Sequence, residues 1–190
     1  MRNRILALGI ALIMFFALAA CSNNKREANK LDKDQVRAAL DNAGYKDVKF
    51  DIDNDKDVVT LTGDVPQADA KTKAEEAVKN VAGNYVIANE IAVRPEGMES
   101  QAKKVDSNLD DAIKSDWKAL EAANKWGNQH INADVNNGVL TLKGDVDTAS
   151  QRTQIEKSAA KLPNVQQVVN ELQVKNAKNA NKKKTTAAQE

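Results

Sequence analysis

The chain of 190 residues contains one cysteine, one histidine, three prolines and few aromatics, which make up 4% of it. One cysteine forms no intramolecular disulfide and builds no thiolate metal site by itself. The single histidine, His130, has no cysteine partner, so neither a zinc site nor a Ser-His triad is expected. Glycines are scattered singly as turn and stop residues, and no glycine-rich phosphate loop is present. The carboxylates fall on predicted surfaces, with no pair placed to share a pocket. These absences argue against an enzyme and against any cofactor. Charge is balanced too, with 28 basic against 27 acidic residues, so net charge selects no polyanionic partner.

Long apolar runs are scarce, and the one that stands out lies at the start. MRNR precedes ILALGIALIMFFALAA, which has the length of a secretory h-region and is short for a membrane span. The run ends in Leu18-Ala19-Ala20-Cys21, and this resembles the bacterial lipobox, in which the cysteine is acylated and the chain is cut before it. Residues 1–20 are therefore expected to be a lipoprotein signal peptide, and Cys21 the attachment point of an acyl anchor such as palmitate. Each buried CH₂ of such an anchor contributes about 0.8 kcal/mol. Ser22 follows where an aspartate would favour inner-membrane retention, which by the same resemblance implies an outer-membrane lipoprotein facing the periplasm.

The remaining sequence repeats itself. VVTLTGDV at 58–65 returns as VLTLKGDV at 139–146, a shift of 81 residues that also brings NEIAV (89–93) onto NELQV (170–174). Two copies of one unit are expected, at 34–93 and 109–174. A lipidated tether (21–33) precedes them, a linker or flexible joint (94–108) separates them, and a basic disordered tail (175–190) follows. The first unit carries 7 basic and 12 acidic side chains and the second 7 and 9, whereas the tail is net +4. Acidic bodies between basic ends argue against a nucleic-acid-binding core.

Each unit reads as αββαβ. In the first, Val36, Ala39, Leu40 and Ala43 share a helix face that stops at Gly44. In the second, Leu109, Ala112, Ile113, Leu120 and Ala123 do so, with Gly127 as the stop. A hairpin follows each helix, and Asn137-Gly138 is the residue pair of a type I′ turn. Gly63 and Gly144 fall where the strand must kink or another backbone must come close. Asp64 and Asp145 are expected near the start of the next helix, where a carboxylate can cap it. Ala70, Ala74, Ala77, Val78 and Val81 form the second apolar helix face of copy one. The resulting α+β fold is a three-stranded sheet with both helices on one face, made twice.

The segments Val59 to Val65, Ile87 to Val93, Leu140 to Val146 and Val168 to Val174 carry the pattern V-x-L-x-G-x-V followed by V-x-N-x-[IL]-x-V. With the αββαβ order, this resembles the BON domain (bacterial OsmY and nodulation), and the whole resembles dual-BON envelope lipoproteins. Ile87 and Leu140 depart from the leading valines of the pattern. The resemblance implies a non-enzymatic envelope protein that binds phospholipid or other envelope components. It further implies that the opening helix of the second unit meets anionic lipid.

That helix and its exit contain both tryptophans, Trp117 and Trp126, beside Lys114, Lys118 and Lys125. An amphipathic ring at headgroup depth with cations near phosphates suits such a contact. The same residues also fit a tryptophan that caps the core beneath a solvated face diluted by Asp110, Asp111 and Glu121. The tail lysines Lys182, Lys183 and Lys184 are a second candidate contact. DIDNDKD (51–57) resembles a calcium loop, but Lys56 stands where glycine is needed and Thr62 where the closing glutamate should be; a solvated acidic edge is expected there and no metal. Two functions are open: an anchored module that engages anionic phospholipid and supports envelope integrity under osmotic stress, or an adaptor for envelope proteins or peptidoglycan held at the membrane by its anchor alone.

Overall fold

The computed structural model describes residues 30–126 and 129–175. Cys21, the signal segment, the tether before Lys30, Gly127 and the tail lysines lie outside the described residues.

The first repeat opens with α1 (Lys33–Asn42), whose N-cap Asp32 accepts the Asp34 N–H. Val36 and Leu40, one turn apart, are fully buried, and Gly44 ends the turn with φ +87°. Arg37 then fixes the exit: its guanidinium donates to Asp41, to Val48 O and to Tyr45 O, and lies 5.5 Å from the centre of the Phe50 ring. Strands β1 (Lys49–Asp53) and β2 (Val58–Thr62) form the expected antiparallel hairpin. The chain continues through β3 (Asp64–Val65), α2 (Ala68–Ala82), β4 (Val86–Asn89) and β5 (Ala92–Val93). β4 runs parallel to β2, and β5 parallel to β3. Hydrogen bonds from Glu90 N–H to Leu61 O and from Ala92 N–H to Gly63 O carry the pairing across the break between them.

The second repeat has α3 (Glu99–Ala123), β6 (Ile131–Asn136), β7 (Val139–Val146), α4 (Ala149–Ala159) and β8 (Gln167–Val174). The repeated phrase is the central strand of each sheet, in the orders β1-β2-β4 and β6-β7-β8. Asn137 and Gly138 take φ +49° and +78°, the two positive values that a type I′ turn requires. A capping box starts α4: Thr148 Oγ1 accepts the Gln151 N–H, and Gln151 Oε1 accepts the Thr148 N–H in return.

Alternation decides which side chains are inside. Val59, Leu61 and Ile87 face α1 and α2 in one core; Leu140, Leu142 and Leu172 face α3 and α4 in the other. Each fully buried side chain of this size contributes about 1.5–3 kcal/mol.

Four readings of the sequence are corrected. The segment 94–108 is not a flexible joint throughout, since α3 begins at Glu99, ten residues before Leu109. Asp64 and Asp145 lie within strands and not at helix starts; Gln67 and Thr148 are the N-caps, and Asp64 pairs with Arg94 at 3.5 Å. Val81 is exposed while Ala82 is buried, because the face of α2 that meets the sheet runs Ala74-Val78-Ala82. Finally, α3 ends before Gly127: Asn124 is the C-cap, its side chain donates to Leu120 O, and Lys125 takes φ +57°.

Candidate functional site

α3 spans 25 residues and turns Ile113 and Trp117 into the second core. Trp117 is 3% exposed and Trp126 7%, with ring centres 6.1 Å apart and planes tilted by 31°. Trp126, just past the helix, folds back on Trp117 and closes the end of the core. Neither indole is at the surface, and Trp117 takes the core-capping place that the sequence left open beside the interfacial one. The reason is spacing: Trp117 follows Ile113 by four residues and shares its stripe. The three lysines are placed differently. Lys118 and Lys125 are exposed, and Lys114 is half-buried at the edge of the stripe. Because the helix starts early, Lys103 and Lys104 join them, both exposed. At 100° per residue Lys103, Lys114, Lys118 and Lys104 fall within roughly a quarter-turn of one flank. Among the described residues no hydrogen bond or ion pair engages these five ammonium groups.

A second feature is the junction of the two repeats, where the helix-free faces of the sheets meet. Val58, Ala88, Val139 and Val169 form a small separate core there, each at most 5% exposed. These are two equivalent pairs under the 81-residue shift, Val58 with Val139 and Ala88 with Val169. The polar contacts obey the same relation. Lys56 Nζ, in the first hairpin turn, reaches Glu171 at 2.7 Å; its counterpart Asn137, in the second turn, donates through Nδ2 to Glu90 O at 2.8 Å, and Glu90 is the counterpart of Glu171. Asn136 adds a bond to the Glu90 carboxylate. Each repeat thus grips the other with its hairpin turn, the reciprocity of an isologous interface. One contact breaks the symmetry: Gln167 donates to Ile87 O at 2.7 Å and accepts the Asn89 N–H at 3.2 Å, whereas its counterpart Val86 is 46% exposed. Beside Gln167 a cleft of 660 Å³ opens between α2, the β4–β5 edge and the second repeat.

The BON domain family model matches residues 32–95 and 106–176. The chain belongs to the BON-domain family. It carries two BON domains, and the second match begins inside α3. Among curated proteins it is similar to the osmotically-inducible protein Y of Escherichia coli (strain K12), at 32% identity over 146 residues, covering 74% of this chain and 70% of that protein. Among solved structures, two of CdsD, a structural protein of the type III secretion system of Chlamydia trachomatis, share 11% identity. They cover 74% and 76% of this chain and 90% and 98% of theirs, with TM-scores of 0.32 and 0.31, a loose likeness.

Titration behaviour concentrates where the BON domains meet. Burial pushes the Glu90 carboxyl up from its ordinary value; Asp134 and Asp110 add to this, while Asn136 and Lys143 oppose it. Lys56 is raised by its bond to Glu171 and then by Asp53, and Asp53 is lowered in return by Lys56. Lys71, half-buried at the cleft, is lowered by burial against the pull of Asp106, Glu75, Asp110 and Glu90. Elsewhere, the DIDNDKD stretch folds as β1 and a turn in which Asp53 accepts the Asp55 and Lys56 N–H groups, and no acidic cluster able to hold a metal occurs among the described residues. Gly63 and Gly144 have nearly the same φ, +126° and +129°, with the backbone of the preceding strand alongside each. The sequence reading missed Lys103, Lys104 and the whole docking face. The adjacent apolar pairs Val58-Val59 and Val139-Leu140, which break strand alternation at equivalent positions, were the available signal.

Proposed function

We propose that this dual-BON protein is a non-enzymatic lipoprotein of the cell envelope, anchored through acylated Cys21 at the outer membrane and facing the periplasm. There it touches anionic phospholipid through the lysine flank of α3 and supports tolerance of osmotic stress. The observation that carries the reading is the set of five lysines, Lys103, Lys104, Lys114, Lys118 and Lys125, on or just past α3, none of them with a partner among the described residues; Asp111 and Glu121 share their arc of the helix. Support for the stress role comes from the similarity to a protein named for osmotic induction. With Trp117 and Trp126 buried, the contact is peripheral and electrostatic, with cations near phosphates and no inserted ring.

The test is flotation of the unacylated mature chain (22–190) with liposomes of phosphatidylcholine alone or with phosphatidylglycerol, at low and high salt. A lysine near a charged membrane surface is worth about 1 kcal/mol, so replacing Lys114, Lys118 and Lys125 together by Gln should weaken binding by about two orders of magnitude. Binding should require the anionic lipid and fade with salt. Equal flotation of the variant, or none of the parent chain, refutes the lysine flank as the contact.

A further inference from the structure

The two bonds of Gln167 to β4 have a recognisable pattern. The N–H groups of Val86, Glu90 and Ala92 point towards the first hairpin, to Asp57 O, Leu61 O and Gly63 O. Residues of odd number therefore present their N–H and C=O to the other edge of the β4–β5 ribbon. On a parallel strand laid along that edge, a residue opposite Ala88 would donate to Ile87 O and accept from Asn89 N–H. The Gln167 carboxamide makes both of those bonds, so one side chain stands in for one residue of an added strand. Its contacts end at Asn89. Beyond that point Ile91, Ala92 and Val93 line the 660 Å³ cleft, with Lys71 and Thr72 of α2 on one wall and Asn137 of the second domain on the other. The volume lies within the roughly 300–1,000 Å³ of small-ligand sites. Asn89, Ile91 and Ala92 are themselves buried, and the Ile91 N–H is held by Asn89 Oδ1 at 3.4 Å, so a second side chain stands in for an added strand along this edge. The edge backbone, the helix beside it and the polar walls are the parts that a strand-adding site needs: main-chain bonds for affinity and side-chain walls for selection.

We propose that the outer edge of β4–β5 accepts an extended, polar peptide segment of a partner protein as an added parallel strand, and that the Gln167 carboxamide is displaced as that strand extends past Ala88. The second BON domain then regulates access, because Gln167 reaches the edge only while the two domains are docked through Val58, Ala88, Val139 and Val169. The asymmetry of the interface gains a role here, since only the first domain has its last strand covered in this way.

The experiment is selection of a phage-displayed random dodecapeptide library on the mature protein, then synthesis of an enriched peptide and amide hydrogen exchange. New protection is expected at Val93, with Asn89 and Ile91, already bonded to the Gln167 and Asn89 side chains, staying protected. N-methylation of alternate peptide residues should abolish binding, at least tenfold, in one phase and leave it unchanged in the other. Gln167→Ala should bind the same peptide several-fold more tightly, because nothing has to be displaced. Failure of any peptide to enrich, protection confined to other segments, or equal loss in both methylation phases overturns the proposal. The methylation series uses the parent protein, so the result does not depend on how the variant folds.

Discussion

The two glycines of the repeated phrase allow an internal comparison. Gly63 and Gly144 hold equivalent places and nearly equal φ, so Ala at either position meets the same backbone penalty, about 1–3 kcal/mol for an L-residue in that region. Their surroundings differ. A Cβ on Gly63 would sit 3.4 Å from Asp47 O and 3.6 Å from Val48 Cα, ordinary contact distances. A Cβ on Gly144 would overlap the His130 carbonyl oxygen and lie 3.1 Å from its carbon, so β6 would have to move away at the Ile131–Gly144 pair. Forcing such a shift in a packed site costs about 1–3 kcal/mol more. Gly63→Ala should therefore destabilise by about 1–3 kcal/mol and Gly144→Ala by about 2–6 kcal/mol. For small domains each kcal/mol lowers Tm by about 4–8 °C. The assay is urea unfolding monitored by two signals. Tryptophan emission reports the second core alone, since it holds both tryptophans, whereas far-UV circular dichroism reports both domains. Gly144→Ala should move the emission midpoint strongly, and Gly63→Ala should act mainly on the dichroism. Equal losses for the two variants, or a larger loss for Gly63→Ala, would refute the steric reasoning.

Three further outcomes are expected. Burial raises the Glu90 carboxyl above its ordinary 4.5, so the folded protein binds that proton more tightly than the unfolded chain; the stabilisation is full below 4.5 and is lost as pH rises through the raised value. Glu90→Gln, which keeps an acceptor for Asn136, should thus match the parent near pH 4 and exceed it in Tm at pH 7, and a constant difference across that range would show that Glu90 does not titrate in this window. Val58→Asp places a charge in the docking core and should separate the domains while leaving each folded, which X-ray scattering would register as a larger radius of gyration; an unchanged radius would mean that the polar grips alone hold the pair. Lipid binding through the α3 lysines should leave tryptophan emission where it is, and a blue shift on anionic liposomes would indicate that the second core opens at the membrane.

Most of the fold was legible because its signals are local. The helix faces at Val36-Leu40 and Ile155-Ala159, the alternation around Leu61 and Leu142, and the Asn137-Gly138 turn all act within a few residues. The start of α3 was not legible, for a physical reason. Its first ten residues overhang the domain it serves: Val105 is 63% exposed and Lys103 and Lys104 are solvated, so no apolar period marks them as helical. Coming after Pro95 and Gly97, such a stretch has the composition of a joint. Arg94 holds it instead, through its bond to Asp106 on α3 and its pairing with Asp64.

The candidate site was legible in charge and illegible in orientation, and the difference bears on mechanism. Lys114, Lys118 and Lys125 can be read from the chain, and Lys103 and Lys104 join them once the helix is placed, but whether a tryptophan among them faces lipid or core depends on how the chain leaves the helix. Here Trp126 returns to cover Trp117, so the two rings satisfy one another and the second core. A contact that used them would first have to pull two large apolar side chains out of that core, at about 3–5 kcal/mol each by the measure of Trp→Ala replacements. Three lysines at about 1 kcal/mol each do not offset such a loss. The lysines can act only if the indoles stay where they are, so the proposed contact through α3 is one that salt should reverse. A similar balance holds between the domains: their shared core is only four small side chains, so Gln167, Lys56 and Asn137 decide how long the cleft edge of the first BON domain stays covered.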